Sequence, residues 1–153
     1  YKHFSRVQSV AWYRQNWAWV FEYAQTDIEE NTYMLVSPTN DIVPGRGART
    51  SEKYYLQTEY VFSENINLFG RYEVGYRDKN DRDGNYYTSA TGKKYGYYSK
   101  DIAVGFNWQL DDWLVKTEFH RIEGNLINSS TDNDPADLKK WWSMFLFQIS
   151  YQF

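Results

Sequence analysis

His120 is the residue of this chain best placed to act as a general base, because Glu118 and Glu123 lie close to it in the sequence. If the segment is a β-strand, residues two positions apart share a face, so the Glu118 carboxylate would lie beside the imidazole. The sequence offers no Ser-His or Asp-Asp arrangement around this histidine. We therefore interpret His120 as a hydrogen-bonded polar residue and predict that the protein is not an enzyme.

Oxygen-rich clusters are the remaining candidates for metal chemistry. Asp78, Asn80, Asp81 and Asp83 form one cluster, and residues 132–134 form another. Neither cluster has the order of acids and glycine of an EF-hand, and Asp and Asn are common turn residues. The chain has no cysteine, which excludes thiolate ligands and disulfides. The sequence predicts neither a metal site nor a cofactor.

Charged and amide side chains recur at every second position of several segments, which would place them on one face of a β-sheet. Both signs of charge occur in this set, and the turn at 63–65 would bring Glu59 close to Arg71, while neighbouring strands would let Lys116 meet Asp101. The candidate pore-lining residues are Glu22, Lys53, Gln57, Glu59, Arg71, Glu73, Asp101, Lys116, Glu118 and His120.

Two roles fit such a mixed-charge face. In a wide barrel the residues would line a water-filled pore and screen solutes by charge and size. In a narrow barrel they would fill and stiffen the interior.

The elements that position these residues are predicted to be strands, since alternation with period two dominates and helical periodicity is nearly absent. About seven strands are expected, most of about 9 to 11 residues, the length that crosses a bilayer when tilted. They cover residues 6–13, 17–24, 53–62, 67–76, 101–108, 113–120 and 144–153.

The predicted connections alternate between short and long, as in a series of hairpins. Short turns are expected at 14–16, 63–65 and 110–112, and long connections at 27–52, 78–98 and 124–140. All three prolines fall in the long connections, outside the predicted strands.

Aromatic residues make up 20% of the chain and concentrate at both ends of the predicted strands. Between these two rows, Phe106, Val115, Phe119, Phe147 and Ile149 are expected to face lipid. Two rows of amphipathic rings match the aromatic girdles of a membrane β-barrel. The rows are Trp17, Phe62, Trp108, Trp113 and Phe153 at the short-turn end, with Tyr13 close by, and Tyr23, Tyr54, Tyr76, Trp141 and Trp142 at the long-loop end.

Composition also limits the class of protein to which this chain can belong. No apolar run is long enough for a transmembrane helix, and a formal net charge of -3 without a basic stripe argues against nucleic acid as a partner. An alternative to the membrane barrel is a soluble antiparallel barrel or sandwich whose apolar face points inward.

The strand pattern, together with residues 113–120 and the closing segment 144–153, resembles the C-terminal portion of a Gram-negative outer-membrane β-barrel of the porin-like type. Phe153, with apolar residues at alternate positions before it, looks like the signal that the barrel-assembly machinery reads. The resemblance implies a location in the bacterial outer membrane, with short turns and C-terminus in the periplasm. It implies as partners the membrane lipid, lipopolysaccharide, the assembly machinery and small polar solutes.

Such barrels have an even number of strands, at least eight, so we interpret residues 1–153 as one segment of a larger antiparallel up-and-down transmembrane β-barrel. The expected function is a channel for passive diffusion of small polar solutes or ions. Alternatives are a non-conducting structural or surface-binding barrel and, less favoured, an outer-membrane hydrolase. A homo-oligomer is compatible with this interpretation.

The sequence offers three ways in which strands would pair to close the barrel. Residues 145–153 should pair with 113–121 on one side, and on the other with a strand outside this sequence or from another copy. Direct closure onto residues 6–13 would be parallel and is disfavoured. The alternative is an eighth strand within 32–36 or 86–88, which would complete a small barrel.

Overall fold

A computed structural model describes residues 2–36, 41–86, 88, 95–127 and 138–153, with the side chains of 30–36 and 41–46 excepted. The chain forms one all-β antiparallel sheet in which each strand pairs with its sequence neighbours. This up-and-down order confirms the predicted strand class. The strands are β1 (Lys2–Arg14), β2 (Trp17–Val36), β3 (Asp41–Ser63), β4 (Ile66–Tyr76), β5 (Tyr98–Leu110), β6 (Trp113–Gly124) and β7 (Trp141–Tyr151).

Two-residue turns join β1 to β2, β3 to β4 and β5 to β6, as the sequence predicts. Gln15 and Asp111, each the first residue of its turn, have φ of 51° and 47°. Positive φ at this position suits the twist of an antiparallel hairpin. We call this edge of the sheet the turn end and the opposite edge the loop end.

The predicted long connection at 27–52 is wrong, because β2 and β3 continue through most of it as a two-stranded ribbon. Pro44, expected outside a strand, lies in β3 opposite Tyr33. β3 pairs with β4 only from Glu52 onward, so among the described strands β2 is the single partner of β3 in the ribbon. A strand with one free edge tolerates proline, which has no N–H to donate. Pro38 and Pro135 lie outside the described residues.

The two faces of the sheet differ in composition and in exposure. Along β5, Ile102 and Val104 are 57% and 52% exposed, whereas Ala103 between them is 1% exposed. The register carries this alternation across the strands. We call the face of Ile102 and Val104 the apolar face and the face of Ala103 the polar face. The polar face is the more enclosed of the two, which is the reverse of a soluble core.

Most of the predicted aromatic residues lie on the apolar face. Trp17, Trp108 and Trp113 lie there at the turn end. The prediction is wrong for Trp142, which pairs with Ile122 and so lies on the polar face. Tyr13, expected close to the turn-end row, pairs with Ala18 and also lies on the polar face. Consecutive residues of a strand point to opposite sides, so Trp141 and Trp142 cannot share a row.

The sheet is open, with β1 and β7 at its edges and no pairing between them. β7 pairs with β6 as expected. Residues 32–36 belong to β2 and form no separate eighth strand; 87 and 89–94 are outside the described residues. In the part of the chain that is described, no helix has the length and apolar character to span a membrane.

Gly105 on β5 packs where a side chain would not fit. A Cβ there would collide with the Thr117 carbonyl oxygen and lie 2.7 Å from the Phe69 ring, which covers the glycine. We expect Gly105→Ala to lower the free energy of unfolding by about 1 to 3 kcal/mol, because overpacking forces neighbours to shift. Denaturant titration measures this value.

The control is Gly70→Ala on the neighbouring strand, where the nearest atom to a new Cβ would be Thr58 Cγ2 at 3.8 Å. That substitution should change the free energy of unfolding little. Equal effects of the two substitutions would contradict the packing described for Phe69.

Candidate functional site

The register places all ten predicted pore-lining residues on the polar face. Glu22 lies on β2, and the others are distributed over β3, β4, β5 and β6. Within this face eight of them form three groups joined by hydrogen bonds or ion pairs, and Glu22 and Lys116 lie outside these groups. The first group surrounds His120, which is 6% exposed.

His120 lies between two carboxylates. Its Nδ1 is 2.7 Å from Asp101 Oδ2, and its Nε2 is 3.2 Å from Glu118 Oε2. An imidazolium donates from both ring nitrogens and satisfies both contacts, whereas a neutral ring donates only once. The second oxygen of Asp101, Oδ1, is buried without a hydrogen-bond partner among the described residues. The histidine therefore holds two acidic groups of neighbouring strands together.

The hairpin of β5 and β6 creates this group. Counting back from the Asp111–Asp112 turn brings Ala103 directly opposite His120, and Asp101 diagonal to it. The small side chain of Ala103 leaves room for the ring to reach the Asp101 carboxylate. Glu118, two residues from His120 on the same strand, shares its face.

The catalytic interpretation gains no support from this geometry. Glu123 lies on the apolar face, opposite Trp141, and so cannot assist His120 as the sequence suggested. The described hydrogen bonds of His120 reach carboxylates and no hydroxyl nucleophile. Among the described residues no group of three or more His, Cys, Asp or Glu is arranged to hold a metal ion.

The second group joins β3 and β4 through Gln57. Arg71 Nε donates to Gln57 Oε1 at 2.7 Å, and the Gln57 amide donates to Glu59. The predicted proximity of Glu59 and Arg71 is thus mediated by Gln57, because the register sets Gln57 rather than Glu59 opposite Arg71. Arg71 also lies over the rings of Tyr55 and Phe69, at 5.9 and 6.0 Å.

The third group is the ion pair between Lys53 Nζ and Glu73 Oε1, 2.9 Å apart. The predicted contact of Lys116 with Asp101 is wrong. Lys116 pairs with Asn107 on β5 and Gln148 on β7, nearer the turn end, while Asp101 contacts His120. On β2, Glu22 accepts a hydrogen bond from Ser9.

Sequence reasoning missed the contact of His120 with Asp101 and the role of Gln57. The contact of His120 with Asp101 was accessible in principle, since extending the register from the correctly predicted turn of β5 and β6 gives it directly. The pairing of Gln57 with Arg71 was not, because a register shift between Val61 and Ser63 moves the partners of β3 by one residue. Comparison of the chain with family models, with characterised proteins and with solved structures found no match.

Removing the imidazole tests whether His120 holds the two carboxylates together. His120→Ala should lower the free energy of unfolding by about 1 to 3 kcal/mol, because it leaves the largely buried Asp101 carboxylate without its histidine donor. Equilibrium unfolding in denaturant gives this value. The control is His3→Ala, at the other histidine, which is exposed. If both variants unfold at the same denaturant concentration as the unsubstituted protein, the bridging role of His120 is wrong.

Proposed function

We propose that this sheet is part of the wall of an outer-membrane β-barrel that lets small polar solutes or ions diffuse through its interior. The observation that carries the proposal is the reversed burial of the two faces. Apolar side chains are exposed over most of one face, except near the loop end where Val74 and Tyr98 are buried, while charged and amide side chains occupy the more enclosed face. A protein surrounded by lipid and filled with water has this distribution.

The exposed apolar surface is large. Val10 is 66% exposed, Phe147 59% and Ile149 53%, on strands at both edges of the sheet. By contrast, the buried hydrophobic residues of the described chain are few: Val74, Tyr97, Tyr98, Ala103 and Ile122. Contiguous apolar surface of this extent is rare on soluble monomers and marks contact with another phase or partner. The soluble sandwich would need a second layer over this face, and the described residues form one sheet.

The orientation follows from the two ends of the sheet. Two-residue turns lie at one end and the extended ribbon and longer connections at the other, the asymmetry expected for periplasmic and extracellular sides. In this placement the C-terminus is periplasmic, and β7 is the strand that the assembly machinery would bind. Lipid and lipopolysaccharide would contact the apolar face.

Strand direction limits how the wall closes. β1 and β7 run the same way in the alternating order, so pairing them, or joining copies side by side in one orientation, creates a parallel seam. An antiparallel closed wall therefore needs an odd number of further strands between β7 and β1. Without them, two edges of unpaired backbone groups would meet lipid.

The polar face favours a pore over a solid interior when the barrel is wide. Glu118 and Glu73 are 29% and 21% exposed at their side chains, so they contact the space beside the sheet. The second candidate is a non-conducting barrel, favoured by the fact that Arg71, Gln57 and Glu59 bond to each other and stiffen the wall. The two candidates differ in ion conduction.

A charge on the apolar face tests the membrane placement. Phe119→Arg should lower the free energy of unfolding in bilayers by about 2 to 4 kcal/mol, because Phe119 lies near the middle of β6, between the two aromatic rows. Gln148→Arg on the polar face of β7 is the control and should have little effect. Unfolding from lipid vesicles measures both variants. Equal tolerance of the two arginines would contradict the assignment of the faces.

A measurement of ion conduction tests the proposed channel function directly. The full-length protein in planar bilayers should give stepwise ion current in salt solution. Glu118→Gln should change the ratio of cation to anion permeability toward anions, because it removes one negative charge from the pore lining. A folded, inserted protein that passes no current would favour the non-conducting barrel.

A further inference from the structure

Arg71 on β4 is a cation of the polar face that has no ion pair among the described residues. Its Nε donates to Gln57 Oε1 at 2.7 Å, which uses one of the five N–H donors of a guanidinium. Its two terminal nitrogens make no hydrogen bond to the described part of the chain. Four donors of this half-buried side chain therefore remain available to a ligand.

The acidic groups around Arg71 have other partners. Glu73, on the same strand and face, is 2.9 Å from Lys53 Nζ. Asp101, diagonal to Arg71 on β5, is 2.7 Å from the imidazole described above. Glu59 accepts a hydrogen bond from the amide of the intervening glutamine. A group that neutralises the charge of Arg71 must therefore come from a ligand, and that ligand must be an anion.

Two aromatic rings lie on either side of the guanidinium. Phe69 precedes Arg71 by two residues on β4, toward the turn end, and Tyr55 lies diagonally across on β3, toward the loop end. Their ring centroids are 6.0 and 5.9 Å from Arg71 Cζ. The Phe69 ring lies against Gly105, where a side chain would displace it. Both rings are half-buried, so part of each is open to a ligand held by the guanidinium.

We propose that Arg71 and these two rings bind an aromatic carboxylate, of which benzoate is the simplest member. The two oxygens of a carboxylate match the fork of guanidinium donors and accept two parallel hydrogen bonds from it. The aromatic body of the ligand would pack against Phe69 and Tyr55, and such ring pairs contribute beyond the area they bury. A ligand without a ring, such as inorganic phosphate, would leave this surface unused.

The hydrogen bond from Arg71 to Gln57 prepares the site for binding. It fixes the guanidinium before the ligand arrives, which reduces the conformational entropy lost on binding. The site lies on the polar face, so the inference rests on the proposed function and names a class of solute for it.

The test is a ligand-observed NMR titration of the folded, detergent-solubilised full-length protein with benzoate. Acetate, which keeps the carboxylate, and benzamide, which keeps the ring, are the comparison ligands. Benzoate should bind about tenfold more tightly than either, because only benzoate uses both the guanidinium and the rings. Equal affinities for benzoate and benzamide would overturn the inference, as would equal affinities for benzoate and acetate.

Substitutions locate the site. Arg71→Gln should weaken benzoate binding about tenfold, and Phe69→Leu about threefold, because leucine keeps an apolar side chain and removes the ring. The control is Arg121→Gln on the apolar face. Arg121 lies over the Trp141 ring at 5.5 Å and donates to Ser143, so it is also an arginine beside a ring. Its loss should leave benzoate affinity unchanged, and equal losses in Arg71→Gln and Arg121→Gln would overturn the location.

Circular dichroism of every variant separates lost binding from lost folding. If Arg71→Gln unfolds, Arg71→Lys decides the question, because it keeps the charge and loses the fork, and benzoate binding should fall about threefold. Unchanged affinity in a folded Arg71→Lys and Arg71→Gln would contradict the inference. A protein that binds benzoate and passes no ions would support the site and contradict the channel. A conducting protein that does not bind benzoate would overturn the site alone.

Discussion

The antiparallel hydrogen-bond ladder is the constraint on which the rest of this structure depends. Each strand satisfies its backbone groups only through its neighbours, and successive side chains must then point to opposite faces. Once the turn at Asp111–Asp112 fixes the register of β5 and β6, most large apolar residues of the hairpin, such as Ile102 and Phe119, go to one side and His120 meets Asp101 on the other. The separation of the faces and the polar network are two consequences of one pairing pattern.

Local sequence patterns correctly predicted the features that depend on a single strand or turn. Alternation located all seven strands, and the tight turns followed from short polar breaks between them. The ribbon of β2 and β3 was missed because proline and glycine usually end strands. Among the described strands β3 pairs here with β2 alone, and the edge this leaves tolerates Pro44. That information lies in the sheet order and not in the local composition.

Contacts between side chains were harder to predict than the face of the sheet on which each side chain lies. All ten candidate residues lie on the expected face, but Lys116 does not reach Asp101, and Gln57 stands between Arg71 and Glu59. Diagonal contacts depend on a shift of two residues in register, which composition does not reveal. The position of Tyr55 beside Arg71 was missed for the same reason, since the two residues lie diagonally across β3 and β4.

The central claim is that the apolar face meets lipid while the polar face meets water. The chain has no cysteine, so single cysteines along β7 can be spin-labelled without background. In reconstituted vesicles, labels at residues 145, 147 and 149 should be accessible to oxygen dissolved in lipid, and those at 146, 148 and 150 to a water-soluble relaxation agent. The account predicts this strict alternation. Uniform access of the water-soluble agent to all six positions would contradict it.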